Sequence, residues 1–577
     1  MSGSITFLPI KSIARDSGII QTEGMIDLLN MTRDGDVYMP GLNCAKVTDR
    51  VTHIGTSDFE SGILGFHIHY PYAGGNALYV ATKTDLYRST MFGSISASKK
   101  SGLSTVGNTA SFGGQFCSYG DRVIFTNGVD KIQSGLDSSL SGAGSFGNHC
   151  LTSPGYEPKA KLMCVIKNHL LLGNIDLTGA AATPAALTTQ KYPDHVWWSA
   201  TDDPQHFGTP ADTNTLTGSD YQPLSDDFGE VTGMIGGDYA LIFKRRAIYR
   251  MDGPPFTFTP VVWGSGTIFP NSIVRYFDDV YFIGEAGPCV YRNQSNKVEL
   301  LSNGSFTRET YALSASCPTA NSGNLLYPAS TLWDTSGAAS YKNKKIYWSF
   351  GGVLNNPSSF SDGYGVIEYD IQSDTFTYHR PNIYALSGGT KFSAIPKTSD
   401  TDIRYGFSTF PTNLKTYDNY DSTWSDGWDI AAIGWATMAG SLDCCVVRFF
   451  SHLIGDNIND GSSLPTATWP AIRFNDDSSK KLTRVAAVRP VYTNNNSSSK
   501  IAFNFTLATL TKEGDIVTWN KSSSGPNSNG WYAFSDSNYG NFHSICMKIS
   551  YSGGGLEYVS QLFRGIEVEW VEGPSQV

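Results

Sequence analysis

His67 and His69 stand two residues apart in FHIHY (66–70), a spacing that on a β-strand turns both imidazoles to one face. Two such histidines can begin a metal site, but a zinc centre needs further protein ligands and no third is identifiable. They are read as structural or surface histidines. SDDFGE (225–230) offers three carboxylates to a calcium ion, without the ligand spacing of an EF-hand, and reads as a solvated loop. Asp202 and Asp203 precede Pro204, an order that favours a turn over a catalytic carboxylate pair. Arg245, Arg246, Arg250 and Arg275 could clamp a substrate carboxylate, yet alternation along a strand sends Arg245 and Arg246 to opposite faces. STWSDGW (422–428) and EGDIVTW (513–519) carry only part of the Asp-box order found in sialidase propellers. There is no H-E-x-x-H, Walker-type loop, nucleophile elbow or dinucleotide fingerprint. No catalytic, metal-ligating or cofactor-binding residue is assigned, and a non-enzymatic protein is expected.

The nine cysteines, at 44, 117, 150, 164, 289, 317, 444, 445 and 546, form no C-x-x-C pair. Their odd number and scatter predict reduced, mostly buried thiols rather than a disulfide framework. Neither a signal-peptide core nor a stretch of membrane-spanning length is present, so assembly in a cytoplasm is expected. A net charge of -10 argues against a wide basic face that grips phosphates. It remains compatible with a wall along which DNA slides without sticking.

The elements that would carry these residues are β-strands. Only 16% of the 577 residues are charged, against roughly 25% in ordinary soluble domains, while 59 Gly, 30 Tyr and 31 Phe suit many turns and pleated surfaces. One two-strand phrase recurs: a polar turn, a short apolar strand, a tight turn, and a strand ending in Tyr or another apolar residue. Its copies are ALYVATKTDLYR (77–88), DRVIFTNGVDKI (121–132), DYALIFKRRAIYR (238–250) and DDVYFIGEAGPCVYR (278–292). A longer-looped copy spans 342–370, and looser ones span 167–199 and 402–418. Hairpins recurring at such intervals predict an all-β fold, a β-propeller of six or seven blades. Residues 1–50 read as an extended N-terminal lead-in and 51–445 as the propeller, with residues 50–75 placed to supply a closing strand. Longer alternating strands after that, such as KLTRVAAVRPVYT (481–493) and FRGIEVEWVEG (563–573), predict a C-terminal β-sandwich-like module over 446–577.

VWWSATDDPQHF (196–207), then YQPLSDDFGEVTGMIGGDYALIFKRRAIYRM (221–251), then GTIFPNSIVRYFDDVYFIGEAGPCVYR (266–292) together resemble the tail nozzle proteins of short-tailed bacteriophages, also called packaged-DNA stabilisation or tail accessory proteins. RVAAVRPVY (484–492) and LFRGIEVEWVEG (562–573) resemble the strands that close such proteins. The residues carrying the resemblance are Trp198, Ser199, Pro204, Gly229, Gly233, Tyr249, Asn271, Ser272 and Gly565, expected as structural or interface positions. The resemblance implies a homohexameric ring in the virion, bound to a head-tail adaptor ring and to tail fibres, spikes or a needle. Genomic DNA would be retained behind it and ejected through its lumen, with no reaction performed and no cofactor. The alternative is a carbohydrate-binding or sialidase-like propeller, such as a phage depolymerase.

Overall fold

The computed structural model describes residues 114–150, 156–183, 187–208 and 218–301, together with strands and short segments within 4–104 and 335–575. Six four-stranded antiparallel units lie within 63–100, 115–148, 159–223, 231–263, 274–300 and 335–379, called blades 1 to 6 below. The inner strands are Ile63–His69, Gln115–Tyr119, Lys159–Ile166, Val231–Ile235, Val274–Tyr276 and Thr335–Ser340. Each meets the next in order, blade 4 reaching blade 5 at the 3₁₀ turn Pro270–Ser272. This cyclic arrangement of twisted sheets is a β-propeller. Five of the six described copies of the recurring phrase hold the second and third strands of their blades, while the copy at 121–132 holds the second strand of blade 2 and stops just before the third, Gln133–Leu136. The copy at 402–418 lies outside the described residues.

The seventh position, between blades 6 and 1, is filled by a different kind of sheet. Ile430–Met438 and Ser441–Phe449 form a hairpin whose third strand is Cys44–Lys46. Lys397–Thr398 pairs in parallel with the inner strand of blade 1 beside it. Residues 63–69, expected as a closing strand, instead begin blade 1, and the stitch comes from Cys44–Lys46. Strand Ser441–Phe449 also runs across the boundary expected at 445.

A blade has neighbours on both sides, so its middle strands need two apolar faces. Alternation supplies them: Ala240 and Ile242 pack towards blade 3, whereas Leu241 and Phe243 pack towards blade 5. In blade 3, Leu170 and Leu172 face blade 2 while Leu171 faces blade 4. Five such apolar seams join the six blades pairwise.

The C-terminal strands form a sandwich with strands from the N-terminus. One sheet runs Met31–Asp34, Val37–Pro40, Gln561–Ser575, Lys481–Asn494 and Tyr532–Ala533, with Ser4–Pro9 also paired to Gln561–Ser575. The facing strands are Asp27–Leu29, Thr466–Thr468, Ile545–Ser552, Ala502–Leu510 and Ile516–Ser522. Met31, Tyr38, Trp469, Val488, Phe505, Ile549 and Val568 are among the buried residues between them. Asp27–Leu29 also pairs in parallel with the outer strand of blade 6, Leu29 opposite Tyr378, so one sheet continues from propeller into sandwich. The first 50 residues, expected as a lead-in, thus contribute strands to three sheets.

Candidate functional site

Of the residues that carry the sequence resemblance, Trp198, Pro204, Gly233, Tyr249 and Ser272 lie at seams between blades 2 and 6. Ser199 bonds within blade 3, Gly229 lies in an open turn, Asn271 lies in the 3₁₀ turn between blades 4 and 5, and Gly565 lies apart. Ser199, fully buried, directly follows the third strand of blade 3. Its Oγ accepts the Leu170 N–H (3.0 Å) and donates to the Ala200 carbonyl (3.1 Å), while its own carbonyl accepts from His169 Nδ1 (2.7 Å). Trp198 meets Phe256 edge-to-face, ring centroids 5.2 Å apart, which fastens blade 3 to the last turn of blade 4. The Pro204 carbonyl accepts from His149 Nε2 (2.7 Å), and Gln205 Nε2 returns a bond to the His149 carbonyl (2.7 Å), clamping the end of blade 2 to blade 3.

Gly233 lies on the inner strand of blade 4, where a β-carbon would stand 2.4 Å from Ile273 Cδ1 of the segment leading into blade 5. Ser272 Oγ donates to the Phe269 carbonyl (2.8 Å) and accepts the Ile283 N–H (3.2 Å); its carbonyl accepts Trp348 Nε1 of blade 6 (2.9 Å). Asn271, beside it, is 4% exposed and its side-chain amide has no partner among the described residues. Gly229 takes φ +80° in an open turn that lets the chain enter blade 4.

Tyr249 belongs to a polar knot around Asp226 of SDDFGE, the segment expected as a solvated loop. Its hydroxyl donates to Asp226 Oδ2 (2.5 Å), and the fully buried Lys244 Nζ reaches Asp226 Oδ1 (2.6 Å) and the Leu224 carbonyl. Burial alone would raise the Asp226 carboxyl, but the Lys244 and Tyr249 hydrogen bonds hold it below its ordinary range. Lys244 therefore pairs Asp226 in a buried ion pair. Gly565 lies apart, in the strand against Ser4–Pro9. With φ +155° it leaves room where a β-carbon would meet the Leu8 carbonyl at 2.3 Å.

The remaining candidates also resolve into seams and turns. His67 Nε2 and His69 Nδ1 both reach Ser118 Oγ of blade 2, at 2.7 and 2.8 Å. One serine hydroxyl has a single proton, so it donates to one ring and accepts from the other. Burial pushes His67 down to about 3, with His69 adding to the effect, and burial lowers His69 too. Asp202 and Asp203 lie in a turn closed by the Ala200–Asp203 bridge, with His206 Nδ1 on Asp203. Arg245 and Arg246, expected on opposite faces of a strand, are the two exposed residues of a hairpin turn, and Arg246 meets Glu285 at 3.2 Å. STWSDGW lies outside the described residues.

Sequence reasoning passed over a repeated pair within the third strand: Tyr87–Arg88, Tyr249–Arg250 and Tyr291–Arg292. Arg88 crosses to Asp137 of blade 2, and Arg250 crosses to Tyr291 (3.0 Å) and Asn293 (2.6 Å) of blade 5. Arg250 and Arg275 each lie 4.3 Å from the centre of the Tyr239 ring. The signal was present in the sequence, since three copies of the phrase end in Tyr-Arg.

No family model and no curated protein matches the chain. Solved structures similar to it include the Neurospora crassa Pan2 WD40 domain, at 8% identity over 71% of this chain and 97% of that one, TM-score 0.36. A chain of the mitotic checkpoint complex is similar at 8% identity over 70% and 90%, TM-score 0.34. YCF48 bound to D1 peptide is similar at 8% identity over 72% and 97%, TM-score 0.33. What defines the class is the chain's own topology: an all-β propeller joined to a sandwich by its N-terminal strands. Among the described residues no helix is long and apolar enough to cross a membrane.

Proposed function

We propose that this chain is a structural virion protein, the nozzle subunit of a short-tailed phage. Six copies would form a ring beneath the head-tail adaptor that retains packaged DNA and conducts it on ejection. The observation that carries the reading is the ordered block 196–292, in which Pro204, Trp198, Gly233 and Ser272 fall at successive blade junctions. A wall that holds pressurised DNA needs seams that resist shear, and buried hydrogen bonds reinforced by apolar contacts provide that resistance. The net charge of -10 suits a lumen that a polyanion passes without adhering. In this reading the partners are the other five subunits, the adaptor ring and a fibre, spike or needle protein. A closed cyclic ring requires two different complementary patches on each subunit.

Light scattering and negative-stain imaging of the purified protein, with and without adaptor complexes, test the proposal. Six-fold rings, free or formed on the adaptor, are expected. A monomer that ignores the adaptor overturns it.

A further inference from the structure

Blade 6 has two unlike faces. Alternation sends Ile346, Trp348, Ile367 and Phe376 into the apolar seam with blade 5. The opposite face of the same three strands carries Lys345, Tyr347, Glu368, Asp370, Thr375 and Thr377, which stand across from one another in the sheet. This polar face is covered: Lys345 is 4% exposed, Glu368 1% and Thr377 2%. Part of the cover is the N-terminal hairpin of the sandwich. Lys345 Nζ lies 2.7 Å from Glu368 Oε1 and donates to the Arg33 carbonyl at 2.7 Å, while Arg33 Nη1 reaches Thr375 Oγ1 at 3.4 Å. Burial pushes the Tyr38 hydroxyl up to about 12; Arg33 opposes this, and Glu368 and Asp370 add to it. Main-chain pairing is slight by comparison. Among the described residues it joins Asp27–Leu29 to blade 6 at one residue pair, Leu29 with Tyr378, whereas three pairs hold the same strand to Thr466–Thr468 of the sandwich.

Parting an apolar seam exposes hydrocarbon to water. Parting the polar joint returns the Lys345 ammonium and the Glu368 carboxylate to water, and the hydration they recover offsets much of the attraction they lose. We propose that this joint is the releasable one: the sandwich, with strands Asp27–Leu29, Met31–Asp34 and Val37–Pro40, swings away from blade 6 while the five apolar seams stay shut. The strand Cys44–Lys46, paired with Ser441–Phe449, keeps the N-terminal segment tied to the seventh position, so the two parts swing without separating. Lys345 must find Glu368 and the Arg33 carbonyl together, so the joint recloses in one register. The inference stands independently of the ring.

Pulsed alkylation by iodoacetamide, resolved by mass spectrometry, tests it on the full chain carrying Thr377→Cys, with its melting temperature checked against the parent. Cys164 and Cys289, buried in the seams on either side of blade 4, are internal references. The thiol at position 377 is expected to react about tenfold faster than both or more, because local opening reaches it and only wider unfolding reaches them. Adding Lys345→Met and Glu368→Leu, which replace the charges by apolar groups, should slow position 377 about tenfold and leave both references unchanged. Equal rates at the three thiols before those substitutions overturn the proposal, whether or not the apolar variant folds. So does an apolar variant, folded by circular dichroism, that leaves position 377 as fast as before or slows all three thiols together.

Discussion

Arg88 of blade 1 holds Asp137 of blade 2 with two parallel hydrogen bonds, Nε to Oδ1 at 2.8 Å and Nη2 to Oδ2 at 2.9 Å. The Tyr79 hydroxyl donates to the same carboxylate from the neighbouring strand. Burial by itself would raise the Asp137 carboxyl, but these bonds hold it below its ordinary range. Planar guanidinium matches carboxylate in a way an ammonium cannot. The first joint of the propeller is therefore fixed in direction as well as in distance.

Removing the cation leaves a largely buried carboxylate short of partners. Arg88→Leu should destabilise the protein by about 3 kcal/mol, and Arg88→Lys should recover only part of that. Urea denaturation followed by tryptophan fluorescence measures both. Because the folded carboxyl lies below its unfolded value near 3.9, its stabilisation is present above that pH and is lost as pH falls through the folded value.

The histidine seam titrates over a higher range. His67 is pushed down to about 3 and His149 to about 4, both by burial, against an unfolded value near 6.5. Their neutral forms are the folded forms, so their contribution is complete above the unfolded value and is lost as pH falls towards 3 to 4. Melting temperature should decline from about pH 6.5 downward, and His67→Gln should decline less steeply than the parent. Parallel slopes for the two proteins would remove His67 from the account.

Glycines at the blade junctions should rank by what a methyl group meets. At Gly236 it would stand 1.8 Å from the Val165 carbonyl oxygen, so blades 3 and 4 must separate. At Gly233 it meets the movable end of Ile273, and at Gly229 it meets nothing but requires φ +80°. Gly236→Ala should cost about 3 kcal/mol or more, with Gly233→Ala and Gly229→Ala nearer ~1 kcal/mol. Thermal melts of the three variants check the order.

The N-terminal strands should behave as part of the sandwich. Met31 is fully buried among residues from 467 to 568. Met31→Ala should cost about 2–5 kcal/mol, and hydrogen exchange should rise in strands Lys481–Asn494 and Gln561–Ser575 rather than in blade 3. Exchange confined to residues near 31 would contradict that coupling.

Local chemistry made the blades legible and left the joins obscure. ALYVATKTDLYR shows its hairpin because both strands and their turn lie within twelve residues. Outer strands such as Gly147–Asn148 and Lys297–Leu300 are short and partly exposed, so no apolar alternation announces them. Cys44–Lys46 and Asp27–Leu29 are three residues long, and their partners lie more than 340 positions away. Nothing local encodes that pairing. The same holds for the site: the Asp-Asp-Pro turn was readable, whereas Lys244 as partner of Asp226 depended on packing across 18 positions.

Ser4–Pro9 takes its strand partner from residues 565–570, so some 560 residues of chain separate the two halves of that pairing. Until the second strand is made, Ile5 and Phe7 stand beside no paired strand, visible to chaperones and proteases. The pairing thus makes closure of this sheet a late event in synthesis, because its two strands are so far apart in the chain.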